Sequence, residues 1–345
     1  MTTAVERLHA ALEGRPADRI PVFCNLLDQG ARELGVPLRA YYASGERVAE
    51  GQLRMRARFG YDNLWSLFYV GKEAELLGDA EIVFAEDGPP NVARHPLQSF
   101  DDVARLEIPR DLSTHPALAE PLRCLRILRR EAAGKHPICA YVTASTTLPA
   151  LAMGMERWMG LLLSGPADVR DELLAKCSLL VQRELELYRA EGVDVLLYAS
   201  PFGSTDFLPY PLVRDLVLPW VERDLAPGGT AGVVYYGGGA RLGPVLDLVQ
   251  ARTGVGAFYL GPEDDVAAAK RAVGDRALCA GVINDIRLID DAPATIRAEV
   301  TRIVAAGMPG GRFMFGTVLM PFGIPEANVR AMLDAAFELG RIERP

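Results

Sequence analysis

Eight apolar runs, nearly all separated by stretches of helical periodicity, constrain this chain more than any other feature. They are residues 20–24, 63–69, 136–142, 193–199, 231–236, 256–260, 277–283 and the run from Gly310 through Phe315, which opens towards solvent at Thr317. Short runs that alternate with helices build parallel sheets, and this number of them predicts an α/β fold of the (β/α)8 TIM-barrel type rather than an open sheet. A helix over 3–13 precedes the first run as an N-terminal extension. Further helices are expected over about 116–133 and 293–306, two are expected between the third and fourth runs with the second over about 166–191, and Pro325 with Glu326 reads as the first turn of a closing one. Between Gly78 and Pro109 the pattern changes to short alternations around EDGPPNV, which predicts a hairpin or loop excursion laid over the barrel mouth.

Length permits two domains, but barrels of this kind fill it as one, so a single domain over 1–345 is expected. The formal charge of −8 is spread along the chain and the arginines are interleaved with acids. Nucleic acid and anionic membrane are therefore not expected as partners. The N-terminus lacks the apolar run of a signal peptide and no segment approaches the roughly 18 apolar residues of a span, which predicts a cytoplasmic protein. Five cysteines, odd in number and without a C-x-x-C pair, read as buried thiols in a reducing compartment.

In a barrel the chemistry sits where strands end, so the residues beyond each run are the candidates. Asn25 and Asp28 follow the first run, with Arg32 a turn further on. Tyr69 ends the second, and Ser145 and Thr146 belong to a hydroxyl cluster after the third. Tyr198 ends the fourth, whose long loop carries Ser204 and Asp206. Tyr235 and Tyr236 end the fifth, and Asn284, Asp285 and Arg287 follow the seventh. Asp285, Tyr235, Asp206 and Tyr69 are the candidates for catalysis, and the others, with Thr317, for holding substrate. Asp206 and Asp285 read either as paired carboxylates for acid–base work or as caps of the helices that follow them. Tyr235 and Tyr236 alternate, so one of the two faces the interior. Gly237 to Gly239 read as a tight turn or a weak phosphate cradle. The four histidines, His9, His95, His115 and His136, and the cysteines give no metal–thiolate spacing at the mouth.

The order of the motifs RPADRIPV, YDNLW, EAELLG, EDGPP, TASTTLPALAMG, GVDVLLYASPFGSTDF, VVYYGGGA and FGTVLMPFGIPEANVRAM resembles the uroporphyrinogen decarboxylase superfamily over nearly the whole chain. That superfamily also holds corrinoid-dependent methyltransferases, and its members are TIM barrels. The resemblance implies a zinc site of the type His-x-Cys with a distant second Cys in the thiol-directed methyltransferases, at positions that here hold Tyr235, Gly237 and Thr317. No zinc is expected on that set. The decarboxylase branch implies an arginine-rich entry, which looks like DQGAR here, with Asp28 in the first arginine's place and Arg32 retained. Its mouth aspartate falls near Tyr69, its tyrosine near Leu151 and its late histidine at Thr317.

Taken together, the expectation is a metal-independent methyltransferase that moves a methyl group between a small methylated substrate and a corrinoid carried by a partner protein. Decarboxylation of a porphyrinogen or an aromatic or pyrrolic acid, with Arg32 or Arg287 on the carboxylate, stays open. So does a non-catalytic corrinoid- or tetrapyrrole-binding barrel. The resemblance also implies a homodimer.

Overall fold

In the computed structural model, which describes residues 2–342, the alternation of the sequence becomes a ring of parallel strands. In chain order the strands are β1 (Leu64–Trp65), β2 (Glu81–Val83), β3 (Asn91–Arg94), β4 (Ile138–Thr143), β5 (Val195–Ala199), β6 (Val233–Tyr236), β7 (Ala257–Tyr259), β8 (Leu278–Ile283) and β9 (Phe313–Thr317). β1 and β4 to β9 pair in that order into one parallel sheet, while β2 and β3 form a separate antiparallel hairpin. Barrel strands are buried on both faces, which is why they read as continuous apolar runs.

The first predicted strand, 20–24, closes the ring without being regular. Val22 pairs with Phe315 and Asn25 with Leu319, both in parallel. On the other side the Asp62 amide donates to the Val22 carbonyl at 2.9 Å. Pro21 has no N–H to give. Side chains then serve as acceptors for its neighbours: Asp62 Oδ2 takes the Val22 amide and Asn63 Oδ1 the Cys24 amide, each at 2.8 Å. A (β/α)8 TIM barrel results, with one irregular member joining β9 to β1.

The expected N-terminal helix is Ala4–Glu13, capped by a reciprocal pair between Thr3 and Glu6. It is held to the barrel by Arg7, which bonds Asp18 at 2.7 Å and the buried Asp62 at 3.0 Å, while Arg19 reaches Asp62 at 2.6 Å. The excursion over 78–109 is the β2–β3 hairpin followed by the short helix Asp102–Arg105. It packs on the loop after β1, where Phe84 meets Tyr69 edge-on at 5.8 Å and Val92 lies against Gly71.

Two elements differ from expectation. The second run, 63–69, is a strand only at Leu64–Trp65, because Gly71, at φ 96°, turns the chain into the short helix Lys72–Leu76 and leaves Phe68 and Tyr69 in the loop. Three helices, not two, lie between β4 and β5: Leu148–Met153, Met155–Ser164 and Ala167–Ala190. Gly154 at φ 89° and the Gly165–Pro166 pair separate them. No helix among the described residues is long and apolar enough to cross a membrane.

Candidate active site at the barrel mouth

Strand parity decides which of the candidate side chains reach the mouth. Tyr141 of β4, Tyr236 of β6 and Tyr259 of β7 share the inner face and form a continuous aromatic wall with Phe68. Phe68 stacks on Tyr141 with centroids 4.0 Å apart, Tyr141 meets Tyr236 edge-on at 6.4 Å, and Tyr236 meets Tyr259 edge-on at 5.8 Å. The wall continues through a hydrogen bond from the Tyr259 hydroxyl to the Thr317 carbonyl at 2.7 Å. Thr317 in turn accepts the Asn25 amide on Oγ1 at 2.9 Å, which ties β9 to the end of the irregular first strand. Only glycine fits at 316, since a Cβ there would lie 2.1 Å from the Tyr259 hydroxyl.

Asp285 follows β8, beside this wall. It is buried, and loss of hydration raises its carboxyl from 3.8 to about 6, although the amides of Asp285 and Ile286 favour the anion. Its charge, added to burial, pushes the Tyr236 phenol up. A carboxyl with a pKa near neutrality within electrostatic reach of a neutral phenol can pass a proton to a leaving atom. Asp28 is a second such group: burial raises it to about 6, the Tyr42 hydroxyl donates to Oδ1, and Oδ2 has no protein partner.

The other candidates are engaged elsewhere. Tyr235 turns away from the interior and packs between Tyr198 and Phe258, each at 6.0 Å, with its hydroxyl where a Cβ on Gly203 would be. Tyr198 also faces outward, donating to the buried Asp224 of the helix Leu218–Leu225 at 2.6 Å. The Ser145 amide donates to the same carboxylate at 3.0 Å, and the Thr146 carbonyl accepts Trp158 Nε1 at 3.1 Å. These groups brace the layer between strands and helices. Asp206 is not paired with Asp285, from which β6 and β7 separate its loop. It clamps Arg241, accepting the backbone amide at 2.8 Å and the guanidinium at 2.6 Å, and this hydrogen bonding holds its carboxyl below the usual range. Ser204 completes the clamp by donating to the Arg241 carbonyl at 2.7 Å.

Tyr69 donates to Glu75 at 2.6 Å and lies edge-on to Tyr42. Arg32 is exposed, stacked 4.5 Å over Phe322 and bonded to its carbonyl. Arg287 pairs with Asp291 at 3.3 Å, and Asn284 Oδ1 accepts the Arg287 amide at 3.4 Å, so that loop folds on itself. Gly237 to Gly239 form a tight turn in which side chains at 237 and 238 would strike Ala240 and Pro201. The mouth thus gathers Asn25, Asp28, Tyr236, Asp285 and Thr317 from the candidates and adds Phe68, Tyr141 and Tyr259, which sequence reading missed. Each of the added rings lies inside or just beyond an apolar run, where only the register between strands reveals its direction.

The three positions that the resemblance aligns with a zinc site do not suit the metal here. Tyr235 faces outward, Gly237 has no donor, and the Thr317 hydroxyl is a poor ligand already bonded to Asn25. Among the described residues no group of three or more histidine, cysteine or acidic side chains is placed to hold a metal ion.

Fold and site define a parallel (β/α)8 barrel whose aromatic and carboxylic groups collect at the strand C-termini. The chain belongs to the uroporphyrinogen decarboxylase (URO-D) family, whose model matches residues 3–339. It is 25% identical to a uroporphyrinogen decarboxylase of Trichlorobacter lovleyi, with 95% of this chain and 97% of that one covered. It is 22% identical to the methylcobamide:CoM methyltransferase MtbA of Methanosarcina mazei, with 97% of each covered. Among solved structures, a methyltransferase from Methanosarcina mazei superimposes with a TM-score of 0.85 at 20% identity, covering 98% of this chain and 99% of that one. That likeness is one of fold.

Proposed function

We propose that the protein is a metal-independent methyltransferase, moving a methyl group between a small methoxy or methylamino compound and a corrinoid presented by a partner protein. The observation that carries this reading is the character of the mouth: phenol and phenyl rings around a protonatable carboxyl, with the two expected cations drawn off. Arg32 lies on Phe322 and Arg287 on Asp291, and Asp28 is buried under Tyr42. A porphyrinogen with many carboxylates would meet acid where it needs base. A neutral or cationic methylated molecule suits the aromatic wall.

In the transfer, the carbon–oxygen or carbon–nitrogen bond breaks with its electron pair staying on the heteroatom, Asp285 gives its proton to that atom where it departs as an anion, and the reduced corrinoid, as co-substrate, would supply the electron pair that takes up the methyl group. Tyr236, held neutral, orients that atom by hydrogen bonding. Zinc takes no part in the transfer.

Decarboxylation is the second reading, favoured by the decarboxylase relatives, which are as similar to this chain as the methyltransferases. In that case Asp28 or Asp285 protonates the carbon that loses carbon dioxide. The two are separated by incubating the protein with cob(I)alamin and a panel of methoxy and methylamino donors, and in parallel with aromatic and pyrrolic acids. Donor-dependent loss of the cob(I)alamin spectrum supports methyl transfer. Carbon dioxide release without it supports the lyase.

A further inference from the structure

At the end of the barrel opposite the mouth lies a cavity of about 420 Å³. Trp65, Leu197, Val234 and Met314 line it, and Leu8 and Leu12 of the N-terminal helix close it from below. Barrel interiors are normally filled by side-chain layers, so a void of this size at the floor is unusual. It exceeds the roughly 150 Å³ apolar cavity that suffices to take up benzene, and it falls within the ordinary range of ligand pockets. The turns 230–232 and 254–256 border it, with Ala231, Gly232 and Gly254 exposed and the Thr230 hydroxyl donating to the Gly254 carbonyl at 3.2 Å between them. Asp194 stands on the lining as its one carboxylate, and one of its oxygens already accepts the Ile138 amide at 2.8 Å.

We propose that this cavity binds a small neutral amphiphile, with a hydrocarbon body inside the barrel floor and a hydroxyl at the rim. Apolar walls favour the body through the area taken from water. The second Asp194 oxygen can accept a hydroxyl proton and repels a carboxylate. This site is separate from the mouth: the Tyr259 ring lies on the cavity wall, while its hydroxyl is committed to the Thr317 carbonyl.

The test uses 1-octanol as probe and the indole N–H resonances of the 15N-labelled protein, which has three tryptophans. The Trp65 resonance is the one missing from Trp65→Phe. It is expected to move saturably with 1-octanol while those of Trp158 and Trp220 stay put. Two filled variants weaken binding at least about tenfold, because a side chain takes the ligand's apolar contacts. Leu197→Phe fills from inside. Gly256→Phe fills from the rim, at a position with nothing within 4 Å of a Cβ and no left-handed backbone. Octanoate binds at least about tenfold more weakly than 1-octanol if Asp194 repels it. An unmoved Trp65 resonance up to the solubility of 1-octanol overturns the site. Equal binding by whichever filled variant folds overturns its location, and octanoate as tight as 1-octanol overturns the ligand class.

Discussion

Asp285 and Tyr236 are the residues on which the reading turns, and each makes a prediction. The native Asp285 carboxyl holds its proton to about pH 6, whereas the unfolded chain releases it near 3.8. The cost of burying its charge is therefore absent at pH 3 and grows as pH rises from about 4 to about 6, up to roughly 3 kcal/mol. Asp285→Asn should match the parent in urea unfolding at pH 3 and exceed it at pH 8, while turnover falls about 10²–10⁴-fold. A purely structural carboxylate would gain stability without losing turnover. Tyr236→Phe should lower turnover about tenfold through the lost hydrogen bond, whereas Tyr235→Phe should leave KM and kcat unchanged because its ring faces the helices. From sequence, the adjacent tyrosines were known to face opposite ways. Which one faces inward depends on the pairing of Tyr236 with Tyr259, and pairing is not written in either strand alone.

At the level of elements, the strands were legible because barrel strands are buried on both faces and stand out as apolar runs. Their order followed directly, seven of the eight runs became regular strands of the ring, and the excursion read as a hairpin or a loop is a hairpin. Direction was not legible, and direction is what sorts Asn25, Tyr236, Asp285 and Thr317 from Tyr198, Ser145 and Asp206. Asp206 looked catalytic because it follows a strand, but the residue that claims it, Arg241, is 35 positions away on the next loop. Asp206→Ala should loosen that clamp by about 1 kcal/mol or less, as for other exposed ion pairs, and should keep measurable turnover. Gly316→Ala is expected to cost more, about 1–3 kcal/mol in thermal or urea unfolding, since its methyl group must displace the Tyr259 hydroxyl. Unchanged stability there would mean that Tyr259 does not cross the barrel as described.

On the scale of the whole molecule, one carboxylate joins the N-terminal helix, the irregular strand and β1. Asp62 is fully buried and receives Arg7, Arg19 and the Val22 amide. Asp62→Ala leaves Arg19 and the Val22 amide without this partner, while Arg7 keeps Asp18, and should destabilise the fold by about 3–5 kcal/mol, measured as a fall in the urea midpoint. The same family architecture carries decarboxylases and corrinoid methyltransferases, so the barrel itself does not choose between them. The mouth does the choosing in this account, through aromatic rings, a raised carboxyl and arginines turned away. Visible absorption of zinc-depleted protein with cob(I)alamin and a panel of methoxy and methylamino donors tests methyl transfer at the mouth. Donor-dependent conversion of cob(I)alamin to methylcobalamin, lost in Asp285→Asn, is expected. An unchanged cobalt spectrum with every donor, alongside carbon dioxide release from pyrrolic or aromatic acids, would contradict it.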